Sequence, residues 1–74
     1  MDRFGEKLRC LRKRRHLTLI DLGNFLDVHN TFVSQIEKGR RIPNAEMILK
    51  VADIFDVTTD QLMRDNLELP EVGQ

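Results

Sequence analysis

Residues 17–39, with the sequence LTLIDLGNFLDVHNTFVSQIEKG, decide the fold that we predict for this chain. In the first part of this stretch, apolar residues recur at the spacing of one helix face, at Leu19, Leu22 and Leu26. Thr18 precedes them and is a favourable N-cap, because its hydroxyl can accept a hydrogen bond from the first turn of a helix. The pattern predicts a short helix that begins after Thr18.

The second part of the stretch predicts another short helix, from about Asn30 to Lys38. Val33 and Ile36 would face inward on it, and Gly39 supplies the left-handed residue with which many helices end. The outer face of this helix is polar. Two short helices separated by a turn of three or four residues form a helix-turn-helix unit, which places its second helix in the DNA major groove.

The rest of the chain predicts three further helices around this unit. The first helix is indicated by the apolar spacing of Phe4, Leu8 and Leu11. The fourth helix is indicated by the Asn44 cap and by an apolar face made of Ile48, Val51, Ala52 and Phe55. The fifth helix is indicated by the capping box Thr58–Gln61. We therefore expect an all-α fold, a compact five-helix domain over residues 1–64. For the acidic tail, residues 65–74, we expect either a frayed segment or one docked on a partner.

Composition limits the classes of protein to which the chain can belong. With 74 residues, 41% of them hydrophobic and 32% charged, it is globular and too small for a large catalytic cavity. Its apolar runs reach only three residues, so we predict no membrane partner. The single Cys10, with no zinc-ligand spacing to His16 or His29, predicts a cytoplasmic protein without metal or cofactor. No catalytic constellation is recognisable, and we expect no enzyme.

The net charge of zero conceals an uneven distribution. Residues 1–50 carry eleven of the twelve Lys and Arg residues but only six of the twelve Asp and Glu residues, whereas residues 51–74 carry one and six. This asymmetry favours contact of the first part with a polyanion. The densest cluster contains Arg9, Arg12, Lys13, Arg14 and Arg15, for which a solvated helix face remains the alternative.

With these features the sequence resembles a known family, the phage-repressor and Cro-like (Xre-type) helix-turn-helix DNA-binding proteins. The resemblance covers roughly residues 4–63. It is carried by Leu8-Arg9-x-Leu11-Arg12, Leu17-Thr18-x-x-x-Leu22, Leu26-x-Val28, Val33-Ser34-x-Ile36-Glu37-x-Gly39 and Pro43. It implies a repressor-like, five-helix DNA-binding domain in which the second and third helices form the helix-turn-helix.

The resemblance also implies which residues meet DNA. Base edges would be read by Asn30, Thr31 and Gln35, whose amides suit adenine and whose hydroxyl and methyl suit thymine. The DNA backbone would be contacted by Thr18, His29, Lys38, Arg40 and Arg41, with help from helix N-termini. Phe32, between polar neighbours, is expected to pack on the core, with a thymine methyl as the alternative.

One residue pair and one further position have expectations of their own. Arg12 and Glu37 match a pair that forms a structural ion pair in the family, and two independent surface charges are the alternative. His29 replaces the small hydroxyl residue common in the family at the start of the third helix, so we expect the cap to pass to Asn30 or to water. A protonated His29 would attract phosphate and raise DNA affinity below roughly pH 6.5, whereas a neutral surface histidine would not.

The function that we predict is sequence-specific transcriptional regulation, by a repressor that reads a palindromic operator in double-stranded DNA as a homodimer. A homodimer is suggested by apolar residues outside the core stripes, namely Ile20, Phe25, Met47, Ile54 and Met63. The alternative is an antitoxin or protein-interaction adaptor with secondary or autoregulatory DNA binding. Its protein partner would contact the acidic C-terminal third.

Overall fold

The computed structural model describes residues 1–71 and contains five α-helices in that range, with no strand. The helices are α1 (Phe4–Arg14), α2 (Leu19–Leu26), α3 (Asn30–Glu37), α4 (Ala45–Phe55) and α5 (Thr59–Met63). The predicted all-α, five-helix fold is confirmed. Residues 72–74, the end of the segment for which fraying or docking is expected, lie outside the described residues.

One hydrophobic core joins all five helices. Each helix contributes one side chain without solvent exposure, and these are Leu8, Leu22, Val33, Val51 and Leu62. Because a short helix buries little surface by itself, α2, α3 and α5 depend on this shared core for most of their stability.

The prediction that Met47 lies outside the core is wrong. Its side chain is buried at the start of α4, where an inward position in the first turn extends the stripe that the sequence shows from Ile48 onward. Ile54 also packs partly against the core. The other apolar residues expected outside the core, Ile20, Phe25 and Met63, are exposed.

The predicted turns and caps of α2 and α5 are confirmed. Thr18 with Asp21 and Thr58 with Gln61 form reciprocal capping boxes. Asp27 and Asp56, which end α2 and α4, have positive φ angles of 60° and 54°. Such angles cost free energy in residues other than glycine, and the aspartates tolerate them better than most side chains.

A short C-terminal segment, residues 64–70, lies along α1 of the same chain. The Asp65 carboxylate accepts hydrogen bonds from the N–H groups of Asp2 (3.0 Å) and Arg3 (2.9 Å) at the start of α1. Arg3 pairs with Glu68 at 2.9 Å, and Arg14 donates to the Pro70 carbonyl oxygen at 2.6 Å. For residues 65–70 this arrangement differs from both expectations, because main-chain and ionic contacts within the chain hold them.

Lys7 makes a second set of contacts between α1 and this segment. Only 2% of this residue is exposed. Its Nζ donates to the carbonyl oxygens of Gln61 (2.6 Å), Arg64 (2.8 Å) and Leu67 (2.7 Å). The three donors of the ammonium group therefore all have acceptors, and α5 is fixed to α1 together with the residues that follow it.

The helices of residues 1–71 are too short or too polar for any of them to cross a lipid bilayer. In the same range, no three His, Cys, Asp or Glu side chains are grouped so that they could hold a metal ion.

Candidate DNA-binding interface

The turn between α2 and α3 brings the two helices into close contact. The Val28 N–H donates to the Gly23 carbonyl oxygen at 2.9 Å, which closes the turn after the left-handed Asp27. A Cβ at Gly23 would lie 2.7 Å from the Val28 carbonyl oxygen. Gly23 is thus required by the close approach of the two helices, and it helps set the angle of α3.

Helix α3 presents two faces of different character. Val33 and Ile36 are buried in the core, whereas Thr31 is exposed and Asn30 and Gln35 are half-exposed. The hydrogen bonds found within residues 1–71 engage neither the two amide side chains nor the Thr31 hydroxyl. The structure therefore brings the three residues predicted to read bases onto one helix, with donors and acceptors available to a ligand.

Positively charged side chains lie at the C-terminal end of α3, next to its outward face. Gly39 has a φ of 76°, its N–H donates to the Ile36 carbonyl oxygen, and the Arg40 N–H donates to that of Gln35 at 2.8 Å. These two bonds form a Schellman motif, which ends the helix and turns the chain. Lys38, Arg40 and Arg41 are exposed around this motif.

Phe32 connects the inward and outward faces of α3. It is half-buried and packs against the core. The Arg41 guanidinium carbon lies 5.3 Å from the centre of its ring, within the range of a cation–π contact. Phe32 therefore contacts Arg41 through its ring as well as packing against the core.

The starts of α2 and α3 carry the other residues expected at the DNA backbone. The exposed Thr18 accepts from the Asp21 N–H, and its own N–H donates to the Asp21 carboxylate at 2.9 Å. These bonds to Thr18 hold the pKa of Asp21 below its usual value. The expectation that the α3 cap passes from His29 to Asn30 or to water is wrong. His29 Nδ1 accepts from the Thr31 N–H at 3.1 Å, which is possible because a neutral imidazole nitrogen carries a lone pair.

Arg12 and Glu37 connect α1 to the last turn of α3. Arg12 donates through Nε (2.7 Å) and Nη2 (3.0 Å) to the two carboxylate oxygens of Glu37, and through Nη1 to the Leu17 carbonyl oxygen. The side chains of Arg12 and Glu37 are only 12% and 5% exposed. Hydrogen bonds to the carboxylate raise the pKa of Arg12 further above its already high value. The pair fixes the orientation of α3, and the Glu37 carboxylate does not face outward.

The densest basic cluster of the sequence is used largely for internal contacts. Besides Arg12 and Arg14, Arg15 donates to the Ile54 carbonyl oxygen at 2.7 Å and lies over the Phe55 ring. Arg9 and Lys13 are exposed. The expected polyanion contact of this cluster therefore does not follow from its density, and the exposed cations next to the outward face of α3 are those at its C-terminal end.

Comparison with known proteins agrees with this geometry. The family profile described as Helix-turn-helix matches residues 8–62. The HTH-type transcriptional repressor RghR of Bacillus subtilis (strain 168) is 38% identical over 64 residues, which are 85% of this chain and 47% of that protein. The HTH-type transcriptional activator BcrR of Enterococcus faecalis is 38% identical over 60 residues, 81% of this chain and 29% of that protein. The chain thus spans about half or less of the length of these two relatives.

A solved structure gives the same result for the fold. The crystal structure of the P22 c2 repressor in complex with a synthetic operator has a TM-score of 0.77 and 30% sequence identity, covering 82% of this chain and 92% of that one. Its name and those of the relatives describe DNA-binding transcriptional regulators rather than enzymes. The profile match, the five-helix fold and the α2–α3 geometry together show that this chain belongs to the Cro-like (Xre-type) helix-turn-helix family of DNA-binding proteins.

Proposed function

We propose that this chain is a sequence-specific transcriptional repressor that acts in the cytoplasm and reads a palindromic operator as a homodimer. The observation that carries this proposal is the outward face of α3. There the side chains of Asn30, Thr31 and Gln35 make no hydrogen bond within residues 1–71, and they lie on the helix that ends at exposed Lys38, Arg40 and Arg41. Such a face offers bidentate amide contacts to bases together with cations for phosphate.

In the proposed complex, α3 lies in the major groove. Asn30, Thr31 and Gln35 contact base edges and discriminate between sequences. Thr18, His29, Lys38, Arg40 and Arg41 contact the DNA backbone and set the register, which contributes affinity without sequence preference. The Arg12–Glu37 pair keeps α3 at a fixed angle to the rest of the domain, as base readout requires.

The homodimer and the palindrome are linked, because a two-fold dimer presents two α3 helices about one DNA turn apart, about 34 Å. Exposed Ile20, Phe25 and Met63 give apolar surface from which an interface could be built. Repression is proposed because the repressors RghR and P22 c2 are similar to this chain, although the activator BcrR is too.

The alternative, an antitoxin or adaptor whose acidic C-terminal third binds another protein, receives no specific support. Glu68 and Asp65, two acidic groups of that third, are engaged by α1 of the same chain. A partner for this region would have to replace those contacts.

Selection of bound duplexes from a random DNA pool tests the proposal, at about 150 mM salt so that non-specific attraction is weakened. We expect a palindrome to be enriched by the native chain and lost when Asn30, Thr31 and Gln35 are all changed to alanine. Asn66→Ala, which removes an exposed amide after α5, serves as the control and should enrich the same duplex. An equal enrichment by the triple variant would refute base reading by α3, and a non-palindromic site bound by one chain would refute the dimer.

A further inference from the structure

The start of α3 differs chemically from the starts of the other capped helices. Thr18, Asn44 and Thr58 cap α2, α4 and α5 through side-chain oxygens, each accepting from the N–H three residues later at 2.8–3.0 Å. At α3 the acceptor is a ring nitrogen, His29 Nδ1, and the donor is the Thr31 N–H at 3.1 Å. Among helices α2 to α5, α3 is the one whose cap can be protonated.

The cap bond fixes the protonation state of the imidazole. An Nδ1 atom that accepts a hydrogen bond must carry its lone pair, so the ring is neutral and its proton lies on Nε2. Protonation would make both nitrogens donors and break the bond to Thr31. It would also put a positive charge at the positive end of the α3 dipole, where cations are unfavourable.

The residues that line the groove beside His29 carry no carboxylate that would offset this charge. The groove beside His29 is lined by Ile20 and Asn24 of α2 and by Val28 and Asn30. The ionisable groups next to this turn are Asp27, exposed within it, and Glu46 and Lys50 of α4, which line the adjoining groove together with Asp27 and Val28. The residue that loses its hydrogen bond, Thr31, is one of the three proposed base readers.

We propose that His29 is a positioning residue whose neutral ring caps the DNA-reading helix, so that its protonation weakens specific DNA binding. This inference rests on the proposed DNA-binding function and adds a proton dependence to it. The DNA-backbone contact proposed for His29 is made by the neutral ring through its Nε2–H, and the sign of the pH dependence is opposite to that of a protonated His29 attracting phosphate. Affinity is highest when His29 is neutral and falls when the ring takes up a proton.

The chain itself supplies the matched control. The turn before α5 is Asp56-Val57-Thr58 and the turn before α3 is Asp27-Val28-His29, so His29→Thr reproduces a turn and cap that this fold already uses. Threonine does not titrate in this range, and the variant keeps an acceptor at the cap. His29→Ala removes the cap at every pH and imitates the protonated state.

The first measurement needs no DNA. Amide hydrogen exchange at Thr31, followed by NMR and corrected for the intrinsic pH dependence, should become faster in the native chain between about pH 7.5 and about pH 5.5. The His29→Thr variant should show no such change. Equal protection of the Thr31 amide in both proteins at both pH values would overturn the cap as a proton-sensitive element.

The second measurement uses the duplex enriched by the selection, at constant ionic strength. For each protein the affinity at about pH 7.5 is divided by the affinity at about pH 5.5, and this ratio is compared between the proteins, so that the effects of groups present in both cancel. We expect this ratio to be larger for the native chain than for His29→Thr, by at most about five-fold, which is the factor that corresponds to a typical N-cap. His29→Ala should follow the flat profile of His29→Thr at a lower affinity.

A native affinity that rises at the lower pH relative to His29→Thr would overturn the inference and favour a phosphate contact of the charged ring. Failure to enrich any duplex at about pH 7.5 would instead refute the proposed function and the DNA part of this inference. The Thr31 exchange rates would still decide whether the cap is sensitive to protons.

Discussion

The two halves of α1 each hold a cation that is largely shielded from solvent, but the two cations have different hydrogen-bond partners. Near the N-terminal end, Lys7 donates to three main-chain carbonyl oxygens of residues 61–67. Five residues later, Arg12 forms a bidentate pair with the Glu37 carboxylate. One cation is held by dipoles of the backbone and the other by a counter-charge, and this difference decides what happens when either is removed.

A buried ion pair depends on both of its members. If Glu37 is removed, the Arg12 charge keeps its desolvation cost without its partner, whereas removal of both charges eliminates that cost. Lys7 has no single partner whose removal would compensate for its loss. The ion pair can therefore be replaced as a unit, and the lysine contact cannot.

The largest expected effect is that of Glu37→Ala, which leaves Arg12 without its counter-charge in a buried site. We expect a loss of about 3–5 kcal/mol in the free energy of unfolding, measured by urea denaturation. Glu46→Ala is the control, because the Glu46 side chain is 77% exposed and its pair with Lys50 contributes about 0–1 kcal/mol. Similar losses for the two variants would contradict a buried pair.

The double variant Arg12→Met/Glu37→Leu sharpens this result. Replacing both charges by apolar side chains of similar size should recover much of the stability lost in Glu37→Ala. A double variant less stable than the single one would mean that the charges themselves are required, rather than their balance.

Lys7→Met is expected to have the second largest effect. The substitution keeps most of the apolar side chain but leaves three carbonyl groups without their donor, at a cost of about 2–3 kcal/mol since water can reach part of the segment. Lys13→Met, at an exposed position of the same helix, should change stability by less than about 0.5 kcal/mol. Hydrogen exchange would distinguish the two ends of α1, because protection should fall first in residues 61–70 and not in α3.

The smallest effect concerns the dependence of stability on pH. Hydrogen bonds from the Arg3 and Asp2 N–H groups lower the pKa of Asp65 in the folded chain. A carboxyl with a lowered folded pKa stabilises the fold above its unfolded pKa of about 3.9, and this contribution disappears as the pH falls through the folded pKa. The difference in melting temperature between the native chain and Asp65→Asn should therefore shrink from pH 5 to pH 2.5. A constant difference would mean that the carboxylate charge is irrelevant.

The contrast between side-chain partners and main-chain partners also explains which contacts could be predicted from the sequence. The α2–α3 unit could be predicted because the Thr18 cap, the apolar stripes and the glycine after α3 follow from residue types, and the Arg12–Glu37 pair could be predicted because both partners are side chains. Lys7 was missed because its partners are carbonyl groups, which every residue has. A signal was present, since Lys7 lies between Phe4 and Leu11 on the apolar stripe of α1.

Close backbone approaches are hidden for a similar reason. A Cβ at Gly5 would overlap the Ile36 carbonyl oxygen, so α1 and α3 can pack only with glycine there. Nothing next to Gly5 in the sequence indicates this contact, because it joins residues that are far apart along the chain. The cap at His29 was also predicted wrongly, since a ring nitrogen is a rarer acceptor than a hydroxyl or carboxylate oxygen.

The Asp65 contact also determines the order in which the domain can be completed during synthesis. Arg3, the residue before α1, provides no side-chain cap, and the N–H groups at this end are bound by a carboxylate 62 residues later. Because a ribosome makes the chain from its N-terminus, the helix that is synthesised first receives its final contacts last. Until Asp65 emerges, the N–H groups at the start of α1 are exposed to water. A nascent chain stalled before that residue would contain the whole helix-turn-helix, but the start of its first helix would lack the Asp65 contact.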